Sequence, residues 1–307
     1  MRIAIIGDYA SQHFLIGREL ERQGHEVTYF LQSNKYANLP EQYFKLGSVQ
    51  GPLWKNYLRT GFWMAFGWLL RKFDIQVVNG TYPQLVRARN TCFHYHGSDL
   101  RLGTVKPQEP SFVSLKELIN YSPNSIFLPR CVNPDEFYSK EEVKEKKEQF
   151  KDENGFDYVI GHFAHSPKIK GSDLISKAIE EINNEKTFNI HFINKPIPRE
   201  KICDTINFCD LIIDHANPST GLTYNVISIE ALFCDVSVGT YYSEQYIDYE
   251  EMKEVIGFLN PNNLKDSILQ ILKSETKKGK KDIALRYHSP DNVIKVLNEH
   301  WKKWGFI

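Results

Sequence analysis

Two lysines and a glycine, Lys168, Lys170 and Gly171, stand just before a predicted helix in the run Gly161-His-Phe-Ala-His-Ser-Pro-Lys-Ile-Lys-Gly171. Paired ammonium groups beside the free amides of a helix start suit a diphosphate, whose negative charge is spread over several oxygens. The plainer reading of the same residues is a turn with solvated lysines. A second run, from Cys209 through Asp214 and a small-residue turn to Leu232, predicts a helix starting near Thr223. Its first amides suit phosphate oxygens, and Glu230 lies about two turns in, where a carboxylate can accept bonds from paired ribose hydroxyls. Ile227, Ile229, Ala231 and Leu232 surround that glutamate. A carboxylate buried against them needs a partner.

A third cluster, Tyr95-His-Gly-Ser-Asp99, follows an apolar strand directly. A neutral imidazole at His96 would orient or deprotonate a hydroxyl, with Asp99 fixing its tautomer or capping a helix; a satisfied structural histidine is the alternative. After the first strand, Gly7-Asp-Tyr-Ala-Ser-Gln-His13 lacks GxGxxG, which disfavours a dinucleotide cofactor. Gly7 suits a tight turn, and with Asp8 and Tyr9 it forms the candidate acceptor side.

These residues need strand ends to hold them. Met1 to Gly7 reads as a strand buried on both faces, Ser11 to Gln23 as a helix ended by Gly24, and His25 to Leu31 as the next strand. Further strands are expected at Asp74 to Asn79, Thr91 to Tyr95 and Ser125 to Leu128. The connector Pro129 to Asn133 leads into the mixed-charge stretch Ser139 to Glu153, read as a solvated helix or linker at the domain boundary. The pattern then restarts. Strands are predicted at Tyr158 to Phe163, Phe188 to Ile193, Leu211 to Asp214 and Val236 to Val238, and helices at Ser172 to Asn183, Ile202 to Phe208 and Val226 to Cys234. Lys273 to Lys281 reads as an exposed loop. Two alternating runs predict two doubly wound, Rossmann-like α/β domains facing across a cleft, with ligands beyond the carboxyl ends of the strands. The expected domains are 1–133, with a closing helix at about 289–307 packing back on it, and 134–288.

Composition sets the outer limits. The chain has 307 residues, 38 basic and 38 acidic, which argues against a nucleic-acid partner. The first 130 residues nonetheless carry an excess of six positive charges, which points that half toward something anionic. Five cysteines form no CxxC pair, so no metal or redox motif is read and reduced thiols are expected. The longest apolar run, Gly61 to Leu70, is about half the length of a membrane span. With no secretory signal read at the start, a cytoplasmic location is expected.

Taken together, the motifs RIAIIG, GHEVTYF, YHGSD, LPRCVNPDEF, HSPKIKGSD, CDLIID and IEAL resemble, in order and spacing, the retaining nucleotide-sugar glycosyltransferases of the GT-B type, family 4. The resemblance covers most of the chain, including the tail from His288 to Trp304. It implies transfer of a sugar from a nucleoside diphosphate sugar to an acceptor hydroxyl (a glycan, lipid or small molecule), with retention, without a metal and without a cofactor. By resemblance, Lys170 matches the phosphate-binding lysine, with Lys168 as companion and His165, Ser166 and Gly171 around them. Thr223, Tyr224 and Asn225 match positions presenting amides to the diphosphate, and Glu230 matches the second glutamate of Glu-x7-Glu, on the donor ribose. His96 falls where the sugar and acceptor approach. The first glutamate of that motif is replaced by Leu222, and Asn225 stands where glycine is common. Leu222 motivates the alternative of a non-catalytic sugar-nucleotide-binding protein. A two-lobed solute-binding protein fits the Lys-Gly and Glu230 constellation less well.

The segment 53–73 is crowded with rings, with Lys55, Arg59, Arg71 and Lys72 bracketing its apolar centre. It reads either as a core helix or as a peripheral contact with an anionic membrane, at its inner face.

Overall fold

The computed structural model describes residues 1–7, 12–31, 44–45, 67–80, 90–101, 103, 105–219, 221–274 and 279–307. The chain divides into two units, Met1–Cys131 with Pro290–Ile307, and Val132–Ser289.

The first unit is built on β1 (Arg2–Ile6), β2 (Glu26–Leu31), β3 (Phe44–Lys45), β4 (Ile75–Asn79), β5 (Thr91–Tyr95), β6 (Ser111–Val113) and β7 (Ile126–Phe127). They form one parallel sheet in the order β3-β2-β1-β4-β5-β6-β7. The chain leaves β1 toward β2 on one side and returns to β4 on the other, which makes the β1/β4 edge the switch point. Strand side chains alternate between faces, so a strand covered on both sides must be apolar throughout. Ile3 and Ile5 accordingly pack with α1 (Gln12–Arg22) and the C-terminal helix Pro290–Lys303, while Ala4 and Ile6 pack on the opposite face with Phe93, Tyr95 and Leu118. Val293, Ile294, Leu297 and Trp301 of the C-terminal helix are buried in the first of these clusters. Each such side chain contributes roughly 1.5–3 kcal/mol. Gln12 ties α1 to the end of the connector, accepting from the Cys131 amide at 2.7 Å and donating to its carbonyl at 2.8 Å.

The second unit repeats the plan. Its longer helices are α2 (Glu141–Asn154), α3 (Ser172–Asn184), α4 (Arg199–Asn207), α5 (Val226–Phe233), α6 (Leu264–Lys273) and α7 (Lys280–His288). Its strands are β8 (Tyr158–His162), β9 (Ile190–Asn194), β10 (Leu211–Ile213), β11 (Ser237–Thr240) and β12 (Ile256–Phe258), parallel in the order β12-β11-β10-β8-β9. Here β8/β10 is the switch point. Val159, Ile212 and Val238 face one core, and Ile160, Leu211 and Ile213 face the other.

Several local expectations need correction. Of the two readings of Ser139 to Glu153 the helix holds, as α2 within the second unit, but it is not wholly solvated: Lys147 is buried there, 2.6 Å from Asp210. The basic run from Lys273 is not one exposed loop. Lys273 ends α6, Lys280 begins α7 and is buried with its ammonium 2.9 Å from Ser237, and 275–278 lie outside the described residues. Of the two helix starts read from the sequence, near Thr223 and at Val226, the structure has the second: α5 begins at Val226 with Asn225 as its cap, and the Asn225 amide donates to the Asp214 carboxylate.

Candidate functional site

At the carboxyl edge of the second sheet, the loops after β8 and β10 meet. Ser166-Pro167 opens a four-residue helix, Pro167–Lys170, closed by Gly171 with φ of +73°. Proline in the first turn and glycine past the end are the usual start and stop chemistry. Gly171 is required for a second reason. A Cβ there would stand 3.2 Å from the Asn217 amide nitrogen, so the loop after β10 packs directly on the glycine. His165, Ser166 and Lys168 are exposed, and Lys170 is half-buried. His162, at the end of β8, ties the layers together: its Nδ1 donates to the Ile213 carbonyl at 2.8 Å and its Nε2 accepts from Ser172 at 2.7 Å.

The hub is Asp214, the last residue of CDLIID, to which no role was assigned from sequence. Its carboxylate is buried and collects Lys170 Nζ at 2.6 Å, the Asn225 amide at 2.6 Å, the Asn225 side-chain amide at 3.1 Å and Ser228 Oγ at 2.9 Å. Burial alone would raise its pKa. The Lys170 charge, the neighbouring His215 and these donors overcome that and hold it well below the usual carboxylate range. Lys170, expected as a phosphate ligand, is therefore positioned by Asp214. An ammonium has three donors, and the bond to Asp214 uses one.

Of the three residues expected to present amides, Asn225 gives its amide to Asp214. Thr223 and Tyr224 are buried, the Thr223 carbonyl accepts from His215 at 3.0 Å, and the Tyr224 hydroxyl lies 2.9 Å from His288. With the helix beginning at Val226, its first intrahelical positions are Val226 and Ile227, the residues whose amides have no partner one turn back. Glu230 is buried on α5 and bonded to Arg199, which also grips Glu136 through Nε at 2.8 Å and Nη2 at 3.0 Å. The partner the sequence demanded is thus Arg199, a residue sequence reading missed because it stands 31 positions away on another helix. Burial pushes the Glu230 carboxyl up to about 7 against the pull of Arg199. Leu222 is half-buried, and its carbonyl accepts from the Ser243 amide at 2.9 Å.

In the first unit, Gly7 takes a positive φ of 77° and donates to the Phe30 carbonyl at 2.8 Å, a turn role. Asp8 and Tyr9 lie outside the described residues, as does the Asp99 side chain. His96 is buried, its Nδ1 3.0 Å from Ser114 Oγ, and burial together with His94, His13 and Arg130 holds its pKa well below the usual imidazole value. A proton taken up there would sit in a dry site beside the Arg130 charge and two further imidazoles. Of the aromatic segment, 53–66 lie outside the described residues. Trp68 is 65% exposed and Leu70 fully buried. No helix among the described residues is long and apolar enough to cross a membrane. A cavity of about 550 Å³, lined by Ser237, Glu254, Gly257, Asn263, Gln270 and Lys280, contains none of the expected site residues.

No protein-family profile matches the chain, and no curated protein matches it by sequence. Solved structures do. Sucrose-phosphate synthase from Thermosynechococcus elongatus is 13% identical with a TM-score of 0.66, covering 99% of both chains. Anabaena HepE, solved in complex with UDP-glucose, is 11% identical with a TM-score of 0.66, covering 99% of this chain and 100% of the other. WaaG, a glycosyltransferase involved in lipopolysaccharide biosynthesis, is 12% identical with a TM-score of 0.57 over 95% of this chain and 94% of the other. At these identities the likeness is one of architecture: two parallel-sheet α/β units with the GT-B glycosyltransferase fold.

Proposed function

We propose that this chain is a glycosyltransferase that moves a sugar from a nucleoside diphosphate sugar to an acceptor hydroxyl, with retention at the anomeric carbon. The observation that carries the reading is the Lys170–Asp214–Asn225 arrangement at the β8/β10 switch point, in a fold shared with a protein solved with UDP-glucose. The diphosphate lies at the start of α5, against the Val226 and Ile227 amides and the remaining donors of Lys170, with Lys168 adding a second positive charge. Because Asp214 already neutralises one ammonium, Lys168 and the helix start supply the net attraction. In the transfer step the bond from the anomeric carbon to the diphosphate oxygen breaks, the bond to the acceptor oxygen forms, and the acceptor proton goes to the departing diphosphate. Stabilising that departing charge is where the protein acts, and positioned donors do it without a divalent cation at the phosphates. Glu230, held by Arg199, faces the ribose from α5.

The test is release of nucleoside diphosphate across a panel of UDP-, GDP- and ADP-sugars, without added magnesium or manganese. Release from one donor is expected. Tight donor binding with no release under any acceptor would favour the binding-only reading, for which Leu222 is the specific observation. A peripheral contact with anionic lipid through 53–73 belongs to the same proposal, supported by exposed Trp68 with the Lys72 ammonium 5.9 Å from its ring. Pelleting with anionic vesicles at low salt is expected; no vesicle-dependent pelleting would remove it.

A further inference from the structure

The first unit carries a cluster of histidines that the transfer reaction does not use. His13 is the second residue of α1, His94 is the fourth residue of β5, and His96 follows the end of that strand. All three are buried, at 0%, 1% and 5% exposure. His13 Nε2 and His94 Nδ1 are 3.1 Å apart, the His94 and His96 ring centroids 4.1 Å, and one nitrogen from each ring falls within 4.8 Å of the other two. Residues two apart on a strand share a face, so β5 and its extension aim His94 and His96 to one side, and α1 brings His13 down on them.

The geometry points to His13, His94 and His96 as the three protein ligands of a bound divalent transition metal of the zinc class. Imidazole nitrogens at about 2.0–2.1 Å from a tetrahedral zinc are separated by roughly 3.3 Å, close to the 3.1 Å of the nearest pair here. Small rotations of the rings close the remainder. For His13 and His96 the surroundings supply the outer contacts that metal-bound imidazoles use. His96 Nδ1 meets Ser114 Oγ at 3.0 Å, and His13 bonds to the Gly7 backbone. His94 Nε2 is a buried nitrogen with no hydrogen-bond partner among the described residues. All three rings are buried, and burial favours the neutral imidazole, the form that binds metal. Arg130, whose charge reaches His94 and His96, weighs against a bare dication. Its presence favours an anionic fourth ligand, such as hydroxide or a carboxylate, in the position that three protein ligands leave open.

The whole chain, stripped with chelator and dialysed, is titrated with Zn²⁺ by calorimetry, with Co²⁺ as a spectroscopic substitute. One tight site per chain is expected, with the visible absorption of tetrahedral cobalt and a raised melting temperature. His94→Gln and, separately, His96→Gln should weaken Zn²⁺ binding at least tenfold and abolish the cobalt spectrum. Folding of each variant is checked by circular dichroism, and either one that folds suffices. The inference is overturned if folded wild-type protein shows no tetrahedral cobalt spectrum, or if a folded variant binds as wild type does. Because the readout is metal binding, the result is independent of whether any sugar is transferred.

Discussion

The two units present opposite chemistry at equivalent places. Each is a parallel sheet with a switch point beside its first strand, and each gathers polar groups at the carboxyl edge. In the first unit the groups are imidazoles held neutral by burial. In the second they are charged, with one aspartate satisfied by an ammonium, a backbone amide, an amide side chain and a hydroxyl. The same fold therefore supports an edge of buried, neutral imidazoles and an edge built on a buried, charged and fully partnered carboxylate, and the difference is made by which side chain is buried and what it is paired with. The second unit makes the point again within itself. Asp214 is drawn down by four kinds of donor, whereas Glu230, equally buried, shares one guanidinium with Glu136 and is pushed up.

The largest effect is expected at Lys170. Lys170→Met strands a fully buried carboxylate, which costs about 3 kcal/mol, the low end for breaking a buried pair because the lysine side chain is 24% exposed. Thermal and denaturant unfolding measure it, and Lys170→Met combined with Asp214→Asn should recover much of the loss. A substitution that leaves stability unchanged would make the second edge no more charged in effect than the first. Gly171→Ala comes next. Its left-handed backbone and the 3.2 Å approach to Asn217 predict a loss of about 1–2 kcal/mol and a displaced Lys170. Glu230→Gln has the smallest effect, visible mainly in its pH dependence. A carboxyl raised to about 7 in the fold contributes stability that is full below its ordinary value and is lost as pH rises through 7. The glutamine variant should lack that loss. Asp214 has the opposite sign: being lowered, its contribution is present above the ordinary aspartate value and disappears only in acid.

Much of this was legible in the sequence. Of the strand ends that matter, those after β1, β8 and β10 follow short runs with an aliphatic centre, as a doubly covered sheet requires, and β5, Thr-Cys-Phe-His-Tyr, is buried throughout. Lys170 and Gly171 stood out because a helix start needs such neighbours. Short elements were harder. β6 has three residues beginning with serine, and β12 is Ile-Gly-Phe, too brief for any period to register. The turn at Pro167–Lys170 carried proline and glycine signals yet was read as loop, since a single helical turn has no face to bury. Partnerships were invisible where they join distant segments. Nothing in the spacing connects Asp214 to Lys170, Arg199 to Glu230, or His13 to His94, which lie 44, 31 and 81 positions apart.

The central claim is that Lys170 serves a diphosphate as well as Asp214. Calorimetric titration of UDP, GDP and ADP into wild type and into the Lys170→Met, Asp214→Asn double variant separates the two duties, because the double variant leaves no charge stranded. The account predicts that wild type binds one of the three and that the folded double variant binds it roughly 100-fold or more weakly, the size expected when a charged donor to a sheltered phosphate is lost. Equal affinity in the two folded proteins would contradict it.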